Sequence, residues 1–312
     1  MKRIHCLGVM VVDALSGPLP AYPLPRKRVQ VVTEKLVFQP GGGAVNTASA
    51  LARMGLPAAI FSRVGDDPNG AFLRQELTRL GVDIRGVRVA AGDTTPFTYV
   101  GIHPDGERTF IHTPGANLGF APADLDRQRL MDTDLLIYQD LWVLPGLDGQ
   151  PGAELLAEAR RRGVVTLLDE CWGLGPRREV LEAMLPHCDY VLPSVDDLQV
   201  IYPDLGPEAI GHHLRACGAG TVVLKMGRQG CLVVTADTAL RIPALDVPVV
   251  DATGAGDCFD AGFLAGLAHG EDVSTAARLG TACAAFCLSA VGGSAGVPSY
   301  AEVRRRALDV TG

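Results

Sequence analysis

No excess of positive charge marks this chain: Lys and Arg total 28 against 35 Asp and Glu, a formal net charge of −7. That balance argues against a generic nucleic-acid binder, which carries a basic face. It leaves an anionic ligand open, because backbone N–H groups can hold phosphate locally. The eight cysteines contain no CxxC pair, and the seven histidines form neither HExxH nor a Cys/His zinc spacing. The usual zinc signatures are therefore missing. The 37 glycines follow no three-residue period, which excludes collagen. There is no GxxxxGK[ST], so no Walker-type phosphate loop. Two glycine clusters fail GxGxxG, because Asn46 and Phe259 stand where the last glycine belongs. No internal repeat and no low-complexity linker interrupts the chain.

What is present is apolar material. Hydrophobic residues make up 47% of 312 positions and charged residues 20%, enough for a large core and incompatible with a disordered chain. The length suits two domains, or one α/β domain with an insertion. Most of the cysteines sit inside apolar runs, where a thiol acts as a small hydrophobe, and we read them as reduced and the compartment as cytoplasmic. The start, Met1 to Val12, has a basic end and an apolar stretch, but no small-residue cleavage site follows. Leu279 to Ala301 carries no charge and is long enough to cross a bilayer. It is mostly Ala, Gly, Ser and Cys and runs into Gly292-Gly293-Ser294, which fits a buried helix ending in a glycine turn rather than a membrane span.

Short apolar runs alternate with helical patterns. Strands are expected at Ile4–Val12, Ala58–Val64, Asp134–Tyr138, Val164–Leu168, Tyr190–Leu192, Thr221–Leu224 and Cys231–Val234. Helices are expected at Ala44–Met54, Asn69–Leu80, Gly152–Arg162, Arg177–Leu185, Pro207–Cys217, Asp257–His269 and Val273–Ala290. Strands rich in Val, Ile and Leu without polar alternation are buried on both faces, so the pattern reads as α/β, a doubly wound, mainly parallel sheet with helices on both faces. Two stretches depart from it. Arg28 to Gln39 alternates like a strand with no helix behind it, and Thr95–His103 with Arg108–Thr113 reads as a hairpin turning at Pro104-Asp105-Gly106. We expect a small β-sheet lid from residues 14–39 and 95–113. The large domain then comprises residues 1–13, 40–94 and 114–312.

Two segments point to chemistry. Asp251-Ala252-Thr253-Gly254-Ala255-Gly256-Asp257 opens a helix whose packing face runs through Phe259, Phe263 and Leu267. At a helix start the first N–H groups lack an intrahelical partner and the macrodipole is positive. Small residues let an anion approach, and an adjacent carboxylate can take the proton of an attacking hydroxyl, which suits phosphoryl transfer. A capping Asp257 beside a mere turn is the plainer alternative. Gly41-Gly42-Gly43-Ala44-Val45-Asn46 opens a second helix, and Asn46 offers a donor and an acceptor to sugar hydroxyls. Asp13, at the end of the first apolar run, adds an acceptor at the carboxyl edge where open α/β sheets bind ligands.

Together these residues resemble the ribokinase-like (PfkB) carbohydrate kinase family. The match runs from Gly8 to Pro298 and includes Arg63-Val64-Gly65-Asp66-Asp67, Gly115-Ala116-Asn117, Lys225-Met226-Gly227-Arg228-Gln229-Gly230 and Asp251–Asp257. The resemblance implies ATP-dependent phosphorylation of a sugar or sugar-like hydroxyl, with Asp257 as base and Gly254, Ala255 and Gly256 as anion hole. It implies sugar contacts at Asp13, Gly42, Gly43 and Asn46. Lys225, Gly227 and Gly230 fall on its nucleotide loop, and Asp251 and Thr253 on positions that hold a monovalent cation, K+, in some members. The family often has Asn-x-x-Glu, linked to magnesium (Mg2+) and phosphate; here Ser194-Val195-Asp196-Asp197 stands in its place, so Ser194 and Asp197 are carried over. Lys225 replaces a common Thr or Ser and puts a point charge near a phosphate. Thr281 is a further contact for the base or ribose.

Phe97, Tyr99 and Arg108 on the lid, and Asp169 with Glu170 and Trp172 at a strand end, complete the substrate candidates. The alternatives to a sugar kinase are a nucleoside kinase of the same fold and a catalytically idle nucleotide-binding regulator. An open apolar face on a small lid sheet wants a partner, so a homodimer through the lid is expected, with no nucleic-acid or membrane partner.

Overall fold

The computed structural model describes residues 2–19, 32–103, 108–171 and 175–310. Its strands are β1 (Ile4–Leu7), β2 (Val11–Gly17), β3 (Lys35–Gly41), β4 (Ala58–Gly65), β5 (Asp83–Ala90), β6 (Phe97–Ile102), β7 (Arg108–Thr113), β8 (Leu135–Leu141), β9 (Val165–Glu170), β10 (Tyr190–Val191), β11 (Thr221–Lys225), β12 (Cys231–Val234) and β13 (Ala239–Ile242). Its helices are α1 (Gly43–Arg53), α2 (Pro68–Arg79), α3 (Arg127–Leu130), α4 (Gln150–Arg161), α5 (Arg178–Met184), α6 (Val195–Ile201), α7 (Pro207–Ala216), α8 (Ala255–His269), α9 (Val273–Leu288) and α10 (Tyr300–Ala307).

Among the described residues nine strands form one sheet in the order β13-β12-β11-β10-β9-β8-β1-β4-β5. All neighbours from β11 to β5 run parallel; β12 and β13 pair antiparallel. Each face of the sheet carries its own core. One joins Ile4, Cys6, Ile60, Ile137 and Val223 to α1, α8, α9 and α10; the other joins Leu7, Phe61, Leu136, Tyr138 and Leu224 to α4, α5 and α7. Successive strand side chains thus face opposite cores, which is why the strands read as unbroken apolar runs.

A second sheet of four strands has the order β3-β2-β6-β7. β2 pairs β3 antiparallel and β6 parallel, and β6 pairs β7 antiparallel, with Asp13 between Gln39 and Thr98. The run expected as one strand, Ile4–Val12, is therefore two. Ile4–Leu7 lies in the large sheet, the chain crosses at Gly8–Met10, and Val11 begins the small sheet. Asp13 stands on the small sheet rather than at the edge of the large one. Both halves are apolar and buried, so hydrophobicity alone does not separate them. The strand expected over Arg28–Gln39 is described from Lys35 to Gly41; positions 28–31 and the turn Pro104-Asp105-Gly106 lie outside the described residues. The uncharged stretch from Leu279 ends its helix at Leu288 and turns through Gly292 (φ 100°) and Gly293 (φ 50°). No helix among the described residues is long and apolar enough to cross a membrane, and the eight cysteines are unpaired.

The carboxyl ends of the parallel strands bring together the polar residues that follow: Asp140 within β8, Asp169 and Glu170 ending β9, Ser194 just past β10 and Lys225 ending β11.

Candidate active site

The start of α8 is the centre of the site. Gly254 precedes it with φ 74°, a left-handed conformation that only glycine adopts without strain. The first intrahelical bond here runs from Cys258 N to Gly254 O at 2.8 Å. The amides of Gly256 and Asp257 come before that bond and have no acceptor within the helix. Asp257 lies in this first turn, partly buried, and its Oδ2 accepts a hydrogen bond from Asn46 Nδ2 at 2.8 Å. Thr47 Oγ1 donates to the Asp257 carbonyl at 3.0 Å, so the two glycine-started helices α1 and α8 are pinned at their N-terminal ends. Burial raises the Asp257 carboxyl above its ordinary range; the Asn46 bond lowers it, Asp169 raises it and Lys225 lowers it.

α1 begins after Gly42, whose φ is 97° and whose missing Cβ lets it pass against the Val9 carbonyl. The loop is held from the large sheet by Asp140, which the sequence reading did not single out. Asp140 sits at φ 61° and accepts from the amides of Val9 (2.7 Å), Gly43 (3.0 Å) and Ala44 (3.3 Å). Its signal was available: the strand expected to stop at Tyr138 leaves Gln139-Asp140 at the carboxyl edge, where such folds place ligand residues. Burial and the nearby Asp257 push the Asp140 carboxyl to about 7. Asp13 reaches the same neighbourhood from the small sheet. Burial raises it to about 7, against a Thr98 hydrogen bond that lowers it, with Asp257 and Asp251 raising it further. Thr98 Oγ1 lies 2.9 Å from His112 Nδ1 on the next strand.

Beyond α8 lies a cavity of about 440 Å³. Leu245, Val247, Val249, Ala284, Ala285 and Leu288 give it apolar walls, and Lys225, Gly227, Gly230, Ala255, Gly256 and Thr281 line it too. Four of the expected nucleotide residues, Lys225, Gly227, Gly230 and Thr281, thus share one cavity with the helix start. Thr281 gives its hydroxyl to Ala277 O in its own helix at 3.0 Å. Aliphatic walls beside free amides fit a nucleotide, with the base among the side chains and the phosphates at the helix start.

Ser194 and Asp197 lie apart from that wall, at the end of β10 and in α6. Ser194 N donates to Glu170 Oε1 at 2.6 Å. Glu170 Oε2 is buried with no hydrogen-bond partner among the described residues. Burial, Asp169 and Asp197 raise the Glu170 carboxyl well above its usual range, and burial likewise raises Asp197. Two adjoining carboxyls fit a hard divalent cation that takes oxygen ligands. Glu170 was a minor candidate in the sequence; its neighbours in space make it the partner of the shortened Asp197.

The remaining candidates separate. Asp251 is buried; its Oδ1 accepts from Thr253 N (2.7 Å) and its Oδ2 from Gly292 N (3.0 Å), closing the loop in front of α8. Phe97 is half-buried against the first core, with its ring 6.4 Å from that of Phe38. The backbone of Arg108 pairs with Ile102, while its side chain, like Trp172, lies outside the described residues. Asp169 Oδ1 lies 2.8 Å from Lys225 Nζ, and its carboxylate gathers with those of Asp257 and Asp260.

Free amides at a glycine-started helix, an adjoining carboxylate and a nucleotide-sized cavity define a small-molecule phosphotransferase. The chain belongs to the pfkB family of carbohydrate kinases, whose family model matches residues 2–299. It is 31% identical over 246 residues to the ATP-dependent ribose-1-phosphate kinase of Halopiger xanaduensis, covering 79% of each chain. The fold is that of the ribokinase of Thermotoga maritima, with a TM-score of 0.85 at 22% identity over 98% of this chain and 99% of that one. It is equally that of a putative ribokinase II from E. coli in complex with ATP and Mg2+, with a TM-score of 0.82 at 22% identity over 99% and 100%.

Proposed function

We propose that this kinase transfers the γ-phosphate of ATP to a hydroxyl of a sugar or sugar-like acceptor, with Asp257 as general base and Gly254–Gly256 as anion hole. The observation that carries this reading is the placement of the Asp257 carboxylate. Asn46 holds it at 2.8 Å, next in sequence to Gly256, which lines the nucleotide cavity, and within electrostatic reach of Asp13 on the small sheet. The acceptor hydroxyl gives its proton to Asp257 as its oxygen forms a bond to the γ-phosphorus. The bond from that phosphorus to the β,γ-bridging oxygen breaks, and ADP leaves with the electron pair. The amides at the start of α8 stabilise the charge on the transferring group. A magnesium ion supplies charge neutralisation of the nucleotide phosphates, and the Glu170–Asp197 pair is suited to hold it together with the nucleotide and water.

Asp13, Gly42, Gly43 and Asn46 bind the acceptor, and the small sheet closes over it to exclude water. Eight unpaired thiols suit a reducing compartment, the cytoplasm. Asp257→Asn is expected to keep the fold and ATP affinity while kcat falls by roughly 10²–10⁴; full turnover in that variant refutes the mechanism. ADP release across free sugars, sugar acids, phosphosugars and nucleosides identifies the acceptor. Turnover of nucleosides alone favours the nucleoside-kinase reading, and ATP binding without turnover of any acceptor favours the idle regulator.

The loop closed by Asp251 and Thr253 is the place for a monovalent cation. Cys287 Sγ lies 3.3 Å from Thr253 O and 2.9 Å from Gly293 O, so two backbone oxygens converge beside that loop. Replacing Na+ by K+ in the assay is expected to raise kcat, and equal rates in both salts remove the cation from the reading.

A further inference from the structure

Lys225 ends β11 with its side chain only 13% exposed. Its Nζ lies 2.8 Å from Asp169 Oδ1 and 3.3 Å from Asp260 Oδ1. Asp260 follows Asp257 by one turn of α8, is fully buried, and takes a second contact from Gln139 Nε2 at 3.3 Å. Carboxylate oxygens of Asp169, Asp257 and Asp260 all lie within 4.8 Å of one another. Oxygens gathered around a single hard cation lie about that close, since each ligand oxygen sits ~2.0–2.6 Å from the ion. Three carboxylates at this spacing, two of them buried, repel one another unless a proton or a positive charge stands among them. Here the positive charge is covalently attached to the chain. The same ammonium also faces outward: Lys225 lines the nucleotide cavity, and a Cβ built on Gly256 would stand 3.4 Å from Nζ.

We propose that the Lys225 ammonium is a tethered cation resident in the Asp169–Asp257–Asp260 cluster, standing where a divalent ion would otherwise sit, and that it presents its charge to the terminal phosphate of the nucleotide at Gly256. The first part concerns the empty protein; the second rests on the kinase reading. Lysine suits both parts, because its head is a compact point charge on a flexible stem and can lean from the acids toward the phosphate without leaving either. Lys225 is thus a positioning residue for Asp257 and a direct contact for the nucleotide.

Removing the ammonium should convert the cluster into a metal site. Mn2+ binding to the nucleotide-free protein, read by the loss of the free-ion electron paramagnetic resonance signal, tests this without any turnover. Lys225→Met should bind one equivalent more than the wild-type chain. Adding Asp260→Asn should remove that equivalent, and Lys225→Arg should gain none. Lys225→Gln, of similar length and still polar, serves if the Met variant does not fold. No extra equivalent in a folded, uncharged variant overturns the proposal. For the second part, the ATP KM of Lys225→Met should rise roughly 10-fold and fall again with excess Mn2+, while that of the wild type does not respond. An acquired site with an unchanged ATP KM removes the phosphate contact and leaves the resident cation standing. A wild-type chain that transfers no phosphate defeats the kinase reading, and the Mn2+ count is independent of it.

Discussion

Asp13, Asp140 and Asp257 crowd one corner where burial works against ionisation. A sugar hydroxyl donates best to a carboxylate, so acceptor binding should need Asp13 in its charged form. With its pKa raised to about 7, the acceptor KM is expected to rise as pH falls from 8 to 6, and Asp13→Asn should give a high KM with no such pH response. The effect on stability has the opposite sense. A carboxyl raised in the folded state favours folding below its unfolded pKa of about 4, and that contribution disappears as pH climbs through about 7. Asp13→Asn should therefore gain melting temperature relative to the wild-type chain between pH 5 and pH 8. A constant difference across that range shows that Asp13 titrates normally. Asp257 was readable from its glycine turn and Asp13 from its place after an apolar run, whereas Asp140, inside β8, was not singled out. Their mutual distances were not readable, since Asn46 and Asp257 are 211 positions apart.

Elements are joined by side chains that serve two masters, and Asp67 is the clearest case. Its Oδ1 caps α2 by accepting from Gly70 N at 2.8 Å and takes the Thr95 hydroxyl at 2.6 Å, while Oδ2 accepts from Thr95 N at 2.7 Å. Thr95 lies two residues before β6, so one carboxylate ties a helix of the large domain to the entry of the small sheet. Asp67→Ala is expected to cost about 2–3 kcal/mol, more than a lost cap alone, because it also strands the Thr95 amide. Urea unfolding with the m-value unchanged measures it; a loss under 0.5 kcal/mol, the scatter of ordinary surface changes, would refute the tie. Long periodic helices such as α1, α8 and α9 and the buried parallel strands were legible from spacing. The strand β5 was passed over: Asp83, Arg85 and Arg88 give it a charged edge with little apolar signal. The seven-residue helix α6 and the short β13 likewise carry too few residues for a period to emerge.

For the whole molecule the open question is what covers the small sheet. On the face of the small sheet turned away from Asp13, Leu36 and Phe38 on β3 and Ile111 on β7 are all more than half exposed. Such a patch on a small sheet is costly in water, and we expect a second copy of the chain to cover it. Light scattering should give a dimer mass, and Ile111→Glu should shift it to a monomer without lowering the melting temperature by more than a few degrees. A monomeric wild-type chain refutes the lid interface.

Local order was written in the chain: alternation of apolar runs and helical periods, the glycine turns before α1 and α8, and the acid placed after the second turn. Such features depend on neighbours within a few residues, where steric and hydrogen-bonding preferences act directly. Tertiary packing alone decided that Ile4–Leu7 and Val11–Gly17 part into different sheets, that Glu170 adjoins Asp197, and that Lys225 stands among three aspartates. Those pairings bridge distant positions, and their energies come from charge and burial that exist only once the strands lie side by side.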